Sequence, residues 1–201
     1  MTQKIILATG NTGKVREIQS VLANGNIEVL PQSQFDVPDA IEDGLTFVEN
    51  ALIKARHASK LTGLPAIADD SGLEVDYLNG QPGIYSSRYA GKAGDNKANN
   101  AKLLEALKGV KKEQRSARFQ CVIVYLKHEL DPTPILCQGT WEGYITEEAS
   151  GAQGFGYDPL FFVEDRNCTS AELEPGIKNL ISHRGQALKE FVKTFSKQQK
   201  L

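Results

Sequence analysis

The chain has 201 residues, 40% of them hydrophobic and 24% charged, with a formal net charge of -2. That length suits one domain with a proper core, and the near-balanced charge without a basic cluster excludes a duplex-wrapping nucleic-acid binder. Any anionic ligand must be held by a few focused cations.

Lys4 to Ala8 predicts a strand, and Val15, Ile18 and Leu22 then recur at helical spacing. Between them stands Thr9-Gly10-Asn11-Thr12-Gly13-Lys14. This is not a P-loop, which needs glycine where Ala8 stands and a hydroxyl where Val15 stands. The physical parts survive the mismatch. A turn that gathers backbone amides, a helix N-terminus and one lysine favours an anion. The plainer alternative is a strand-turn-helix with a surface lysine.

Ile27 to Leu30 predicts a second strand, closed by Pro31. Thr46 with Glu49 reads as a capping box opening a helix that stops at Gly63. Glu42 lies in the loop before it. Asn50, Lys54 and His57 share one face of that helix. His57 reads as structural, and Lys54 is of interest if its face looks into a cleft. Two short strands follow, Ala66 to Asp69 and Leu73 to Leu78, parted by Asp70-Ser71-Gly72. Adjacent carboxylates at a strand end, Asp69 and Asp70, suit a hard cation such as Mg²⁺, with Glu42 joining from its loop. The competing reading is a solvated acidic turn. Asp95 caps a further helix to Gly109.

In the second half, Ser116 to His128 is apolar on both faces around Val122 to Leu126 and belongs at a sheet centre. Pro134 to Ile145 is its expected neighbour. The cysteines, Cys121, Cys137 and Cys168, include no C-x-x-C and fit a reducing cytoplasm better than a disulfide framework. The apolar stretch Ile5 to Ala8 is too short for a signal peptide or membrane span. A soluble, cytoplasmic protein is expected. GAQGFGYDPLF is loop-like, and its Phe155 and Tyr157 are either stacking faces for a base or buried anchors. A last helix starts at Ser182 and buries Leu188, Phe191, Val192 and Phe195. His183 and Arg184 stand at its start, where positive charge is unfavourable, which suggests a ligand, a surface pair being the plainer alternative. The fold class is α/β, a long twisted mixed sheet flanked by helices.

TGNTGK, DDSGLEVDYLNGQPGIYSSRYAG, GFGYDPLFF and ISHRGQAL, in that order, resemble the inosine/xanthosine triphosphate pyrophosphatases, the Ham1-like family. The resemblance runs nearly end to end and implies one Ham1-like domain over residues 1–201, with two lobes and an active-site cleft between them. It implies hydrolysis of ITP, dITP, XTP and dXTP to the monophosphate and pyrophosphate with Mg²⁺, cleansing the nucleotide pool. It also implies a homodimer, with no nucleic-acid or membrane partner.

The same resemblance assigns roles. Thr9, Gly10, Asn11, Thr12, Gly13 and Lys14 surround the triphosphate, with Lys54 as a second cation. Asp70 is the family's proton acceptor and a metal ligand, Glu42 the second ligand and Ser71 a substrate contact, while Asp69, close by, is the second catalytic candidate, the sequence leaving open which aspartate takes the proton. Phe155, Gly156, Tyr157, Asp158, Lys178, His183 and Arg184 surround the base. Donors such as Arg184 and Lys178 would pair with a 6-keto oxygen and face a donor in adenine. Removal of Arg184 is then expected to leave stability unchanged or slightly raised. One departure stands out: Pro175-Gly176 reads as a helix breaker before Lys178, where relatives have an acidic, helix-like stretch. Rival readings are a Maf-like pyrophosphatase, disfavoured by SHRG and FGYD, and a non-catalytic nucleotide sensor, disfavoured by the intact carboxylates and Lys14.

Overall fold

The computed structural model describes residues 3–22 and 27–198. Among them seven strands form one sheet: β1 (Gln3–Leu7), β2 (Ile27–Pro31), β3 (Ala66–Val75), β4 (Ser116–Leu126), β5 (Ile135–Ile145), β6 (Phe161–Val163) and β7 (Cys168–Thr169). Their order is β2-β1-β3-β4-β5-β6-β7. β1 runs parallel to β2 and β3, whereas β6 is antiparallel to β5 and β7, so the sheet is mixed. The doubly apolar β4 stands at its centre with β5 beside it, as its composition requires. The helices are α1 (Thr12–Leu22), α2 (Phe47–Thr62), α3 (Asn96–Ala106), α4 (Pro175–Ile181) and α5 (His183–Gln198).

The chain divides into two compact units. The first contains the described residues of Met1–Asp70, Cys121–Gly139 and Arg184–Leu201. Side chains alternate across its strands, and each sheet face has its own core. Ile5, Leu7, Ile67, Cys121 and Ile123 pack against Ile18 and Leu22 of α1 and Leu188, Phe191 and Phe195 of α5. Ile6, Ala66, Ala68, Val122 and Val124 pack against Ala51, Ala55 and Ala58 of α2. α2 begins where Thr46 accepts from the Glu49 amide and ends at Gly63, whose φ of 67° needs no side chain.

The second unit contains Ser71–Gln120 and Thr140–His183. Leu103 and Leu107 of the α3 segment, Phe119, Trp141, Phe161 and Leu173 lie in its core. Asp95 caps α3 by accepting from Ala98 N, but the helix ends at Ala106, short of Gly109. α4 corrects the reading of Pro175-Gly176 as a breaker. Proline occupies the first helical turn, where its missing N–H has no partner to lose, and Lys178 is fixed on a regular helix.

Candidate active site

The sheet orients the two acidic residues differently. Asp69 and Asp70 do not end a strand; they lie within β3, which continues to Val75. Tertiary cover on both sides overrides the turn-like look of Asp70-Ser71-Gly72. Because successive side chains oppose each other, Asp69 shares the Ile67 face with α1 and α5, and Asp70 shares the Ala68 face with α2.

Asp69 is fully buried. Its Oδ1 lies 2.8 Å from Lys14 Nζ, and Arg184 donates from Nε and Nη2 to Oδ2 at 3.1 Å. The Cys121 thiol stands 3.6 Å from Oδ2. Burial alone would raise the Asp69 pKa, but Lys14, Arg184 and Lys54 outweigh it and hold the carboxyl well below the usual range. Arg184 is itself buried and also donates from Nη1 to Glu17. Burial and Asp69 together push the Cys121 thiol above its ordinary range, which leaves it inert.

Asp70 has different company. Lys54, on α2, donates from Nζ to Asp70 Oδ1 at 2.6 Å and lies 3.5 Å from Glu42 Oε1. Burial raises the Asp70 pKa, and the neighbouring Glu42 charge adds to this against the pull of Lys54 and Lys14. For Lys54, burial works downward, yet Asp70, Asp69 and Glu42 prevail and raise it. Glu42 and Asp70 therefore face one cation, an excess of negative charge built from hard oxygen donors. Among the described residues no group of three or more His, Cys, Asp or Glu could hold a metal ion. Two carboxylates suit Mg²⁺ nonetheless, since it commonly takes one or two and completes its shell with phosphate and water.

The glycine-lysine turn differs in one way from the sequence expectation. Asn11 caps α1, its Oδ1 accepting from Gly13 N at 2.9 Å and Lys14 N at 3.1 Å. Thr9 Oγ1 accepts from Asn11 N at 3.2 Å. Several amides counted toward an anion cradle are thus engaged by the turn itself. What the turn offers is the Lys14 ammonium and the helix end; Thr12 and Gly10 are exposed beside it.

In the second unit, Asp158 is buried and accepts from Phe155 N at 2.8 Å, from Ser170 Oγ at 2.9 Å and from Lys178 Nζ at 2.6 Å. The Lys178 ammonium also sits 5.0 Å from the Phe155 ring centroid. A Cβ on Gly154 would come within 2.0 Å of Asp158 Oδ2, so this loop closes only around glycine. The two aromatics part company. Tyr157 is an anchor, buried with its hydroxyl donating to Ser86 O at 2.8 Å, whereas Phe155 stays half-exposed. Gly156 accepts through its carbonyl from Asn100 Nδ2 at 3.1 Å. Ser71 is half-buried on β3. His183 stacks on Phe119 with centroids 4.7 Å apart.

His57 is structural, its Nε2 bonded to Pro38 O at 2.9 Å. Arg184 requires a correction: its charge at the helix start is not a liability, because Asp69 and Glu17 balance it. Removing it would take a buried cation from both carboxylates, leaving Asp69 with Lys14 alone of its two ion-pair partners, so the expectation of unchanged stability does not fit this arrangement. Glu17, Ser170 and Gly154 were not found by sequence. Glu17 lies one helical turn from Lys14, a signal that could have marked it; Ser170 had none.

A buried acid locked to a glycine-turn lysine stands beside a second acid left short of cations, an arrangement whose charges suit an anionic ligand and a hard cation. The family model described as Ham1 family matches residues 5–194, and the chain belongs to that family. A dITP/XTP pyrophosphatase of Vibrio parahaemolyticus serotype O3:K6 (strain RIMD 2210633) is 59% identical over 196 residues, covering 98% of each chain. One from Escherichia coli O157:H7 is 58% identical over 187 residues, 93% of this chain and 95% of that one. The solved structure of a HAM1 protein from Coxiella burnetii superposes with a TM-score of 0.89 at 51% identity, covering 97% of this chain and 99% of that one.

Proposed function

We propose that this protein hydrolyses non-standard purine nucleoside triphosphates (ITP, dITP, XTP and dXTP) to the monophosphate and pyrophosphate, clearing them from the nucleotide pool. The observation that carries the reading is Lys54 shared between Asp70 and Glu42, next to the lysine of the glycine turn, in a chain 59% identical to a dITP/XTP pyrophosphatase. The family match, residues 5–194, takes in residues of both units, and they are read as one functional domain.

Lys14 and Lys54 meet the charge of the triphosphate, with Thr9 to Gly13 shaping the turn around it. Glu42 and Asp70 would hold Mg²⁺, which supplies neutralisation of phosphate charge and orientation of water when bound. Asp70, the more basic aspartate, accepts the proton of the attacking water as its oxygen bonds to the α-phosphorus. The bond from that phosphorus to the bridging oxygen breaks, and pyrophosphate leaves with the electron pair. Asp69 stays ionised throughout and holds Lys14 and Arg184 in place. Ser71 is assigned a substrate contact.

Phe155 offers a stacking face for the base, and the Lys178 ammonium, fixed by Asp158, offers a donor for a 6-keto oxygen. Adenine presents a 6-amino donor there, and sites built on such pairings reject the mismatched partner by roughly 10⁴–10⁵. His183 stacks on Phe119 within the same unit, whereas Arg184, paired with Asp69 and Glu17, braces the Lys14 side. The protein is further read as a cytoplasmic homodimer. Among the described residues no helix is long and apolar enough to cross a membrane.

A Mg²⁺-dependent screen of ITP, dITP, XTP and the four common nucleoside triphosphates tests the reaction, with pyrophosphate and phosphate detected separately. Monophosphate and pyrophosphate from the deaminated purines are expected. Nucleoside diphosphate with free phosphate would overturn the reading.

A further inference from the structure

Asn50 stands on the first turn of α2, one turn before Lys54, and is fully buried. Its Oδ1 accepts from Gly44 N at 2.9 Å. Its Nδ2 has no hydrogen-bond partner among the described residues. A buried amide with an unmet donor is a liability that leucine, of similar size, would not carry. Packing therefore gives no reason for asparagine here.

The reason lies in the segment it grips. Glu42 comes from a loop with no regular structure, and its carboxylate must meet Asp70 across Lys54. Two residues on, Gly44 is pinned to Asn50, and Leu45 N donates to Glu49 Oε2 at 2.9 Å. Gly44 passes so close that a Cβ there would lie 2.7 Å from Glu49 Cβ and 2.8 Å from Asn50 Oδ1. The absent side chain at 44 and the amide at 50 form one lock.

We infer that Asn50 is a positioning residue for Glu42: by holding the Gly44 amide it sets where the second carboxylate of the metal site stands. The inference rests on the metal role proposed for Glu42 and Asp70. Groups that orient a metal's ligands typically matter by about 10–100-fold in metal affinity or activity.

The test is Mn²⁺ binding to the substrate-free protein by calorimetry, together with the Mg²⁺ dependence of turnover. Asn50→Leu should weaken Mn²⁺ binding by about 10–100-fold without lowering the melting temperature, and excess Mg²⁺ should restore kcat. Gly44→Ala, which leaves Asn50 intact but forces the lock open, should weaken Mn²⁺ binding to the same extent, with some loss of melting temperature from the displaced loop, and it decides alone if Asn50→Leu does not fold. Unchanged Mn²⁺ affinity in the folded variants overturns the inference, as does a kcat loss that excess Mg²⁺ cannot restore. Glu42→Gln separates the levels. If it too leaves Mn²⁺ affinity intact, the metal reading itself fails; if it alone weakens binding, only the role of Asn50 fails.

Discussion

β3 carries two neighbouring aspartates, and its two faces treat them differently. Toward α1 and α5, Asp69 and Glu17 meet Lys14 and Arg184, two anions against two cations. Toward α2, Asp70 and Glu42 share Lys54, two anions against one. Burying a balanced set leaves no group seeking a partner, and its acid is hard to protonate. The unbalanced set is also mostly buried, but it retains a deficit that a divalent cation would fill. One residue type, repeated in adjacent positions, joins a balanced set on one side and an unbalanced set, the one proposed to react, on the other. The alternation of the strand decides which is which.

The largest expected effect sharpens that contrast. Asp70→Asn keeps size and removes basicity, and kcat should fall by about 10³–10⁴-fold, in the range of a lost general base. The melting temperature should move by only a few degrees. If the variant keeps more than about a tenth of wild-type kcat, a barrier change of only ~1.4 kcal/mol, the assignment of Asp70 is wrong.

Asp69→Asn should behave in the opposite sense. It leaves Lys14 and Arg184 without their shared anion, and breaking a buried pair in this way costs about 3–5 kcal/mol. Denaturant unfolding reads that loss directly. Activity should fall less than for Asp70→Asn where the protein remains folded. A stable Asp69→Asn protein that is as inactive as Asp70→Asn would erase the distinction between the faces.

What was legible in the sequence was local. Thr46 and Gly63 bound α2 because cap and stop chemistry act over a few residues, and β4 lies at the centre because both its faces are apolar. β3 was read as two strands because Asp70-Ser71-Gly72 has turn-like composition; only cover from both sides keeps it extended. Pro175 read as a stop because its place in the helix, not its identity, sets its effect. Of the site, the residues were visible but their pairings were not. Arg184 and Asp69 stand 115 positions apart, and nothing in either segment announces that one neutralises the other. The charge at 184 therefore looked like a ligand's donor when its partner is an acid of the same chain.

A smaller effect probes the balance on the closed face. Glu17→Gln keeps a hydrogen-bond acceptor for Arg184 but removes one anion. A loss of up to about 1.5–3 kcal/mol is expected, the range for a hydrogen bond to a charged group. Combined with Asp69→Asn, the loss should depart from the sum by at least ~0.5 kcal/mol, since both acids share Arg184. Strict additivity would show that the two carboxylates act separately.

The smallest expected effect is a difference in acid response between the faces, measured without divalent cations. Asp69 has a folded pKa below its unfolded value of about 3.9, so near that pH the unfolded chain binds more protons. Its contribution is complete above about pH 5 and drains away as pH falls below about 4. Asp70 has a raised folded pKa, so the native state binds the extra proton, and stability falls as pH rises from about 4 through the folded value. Asp69→Asn should therefore flatten the steep acid limb below about pH 4, while Asp70→Asn should remove a shallow decline above it. Urea midpoints from acid to neutral pH would resolve the two windows. If both substitutions altered the same limb in the same direction, the faces would be electrostatically alike, and the division of labour between Asp69 and Asp70 would have no basis in their surroundings.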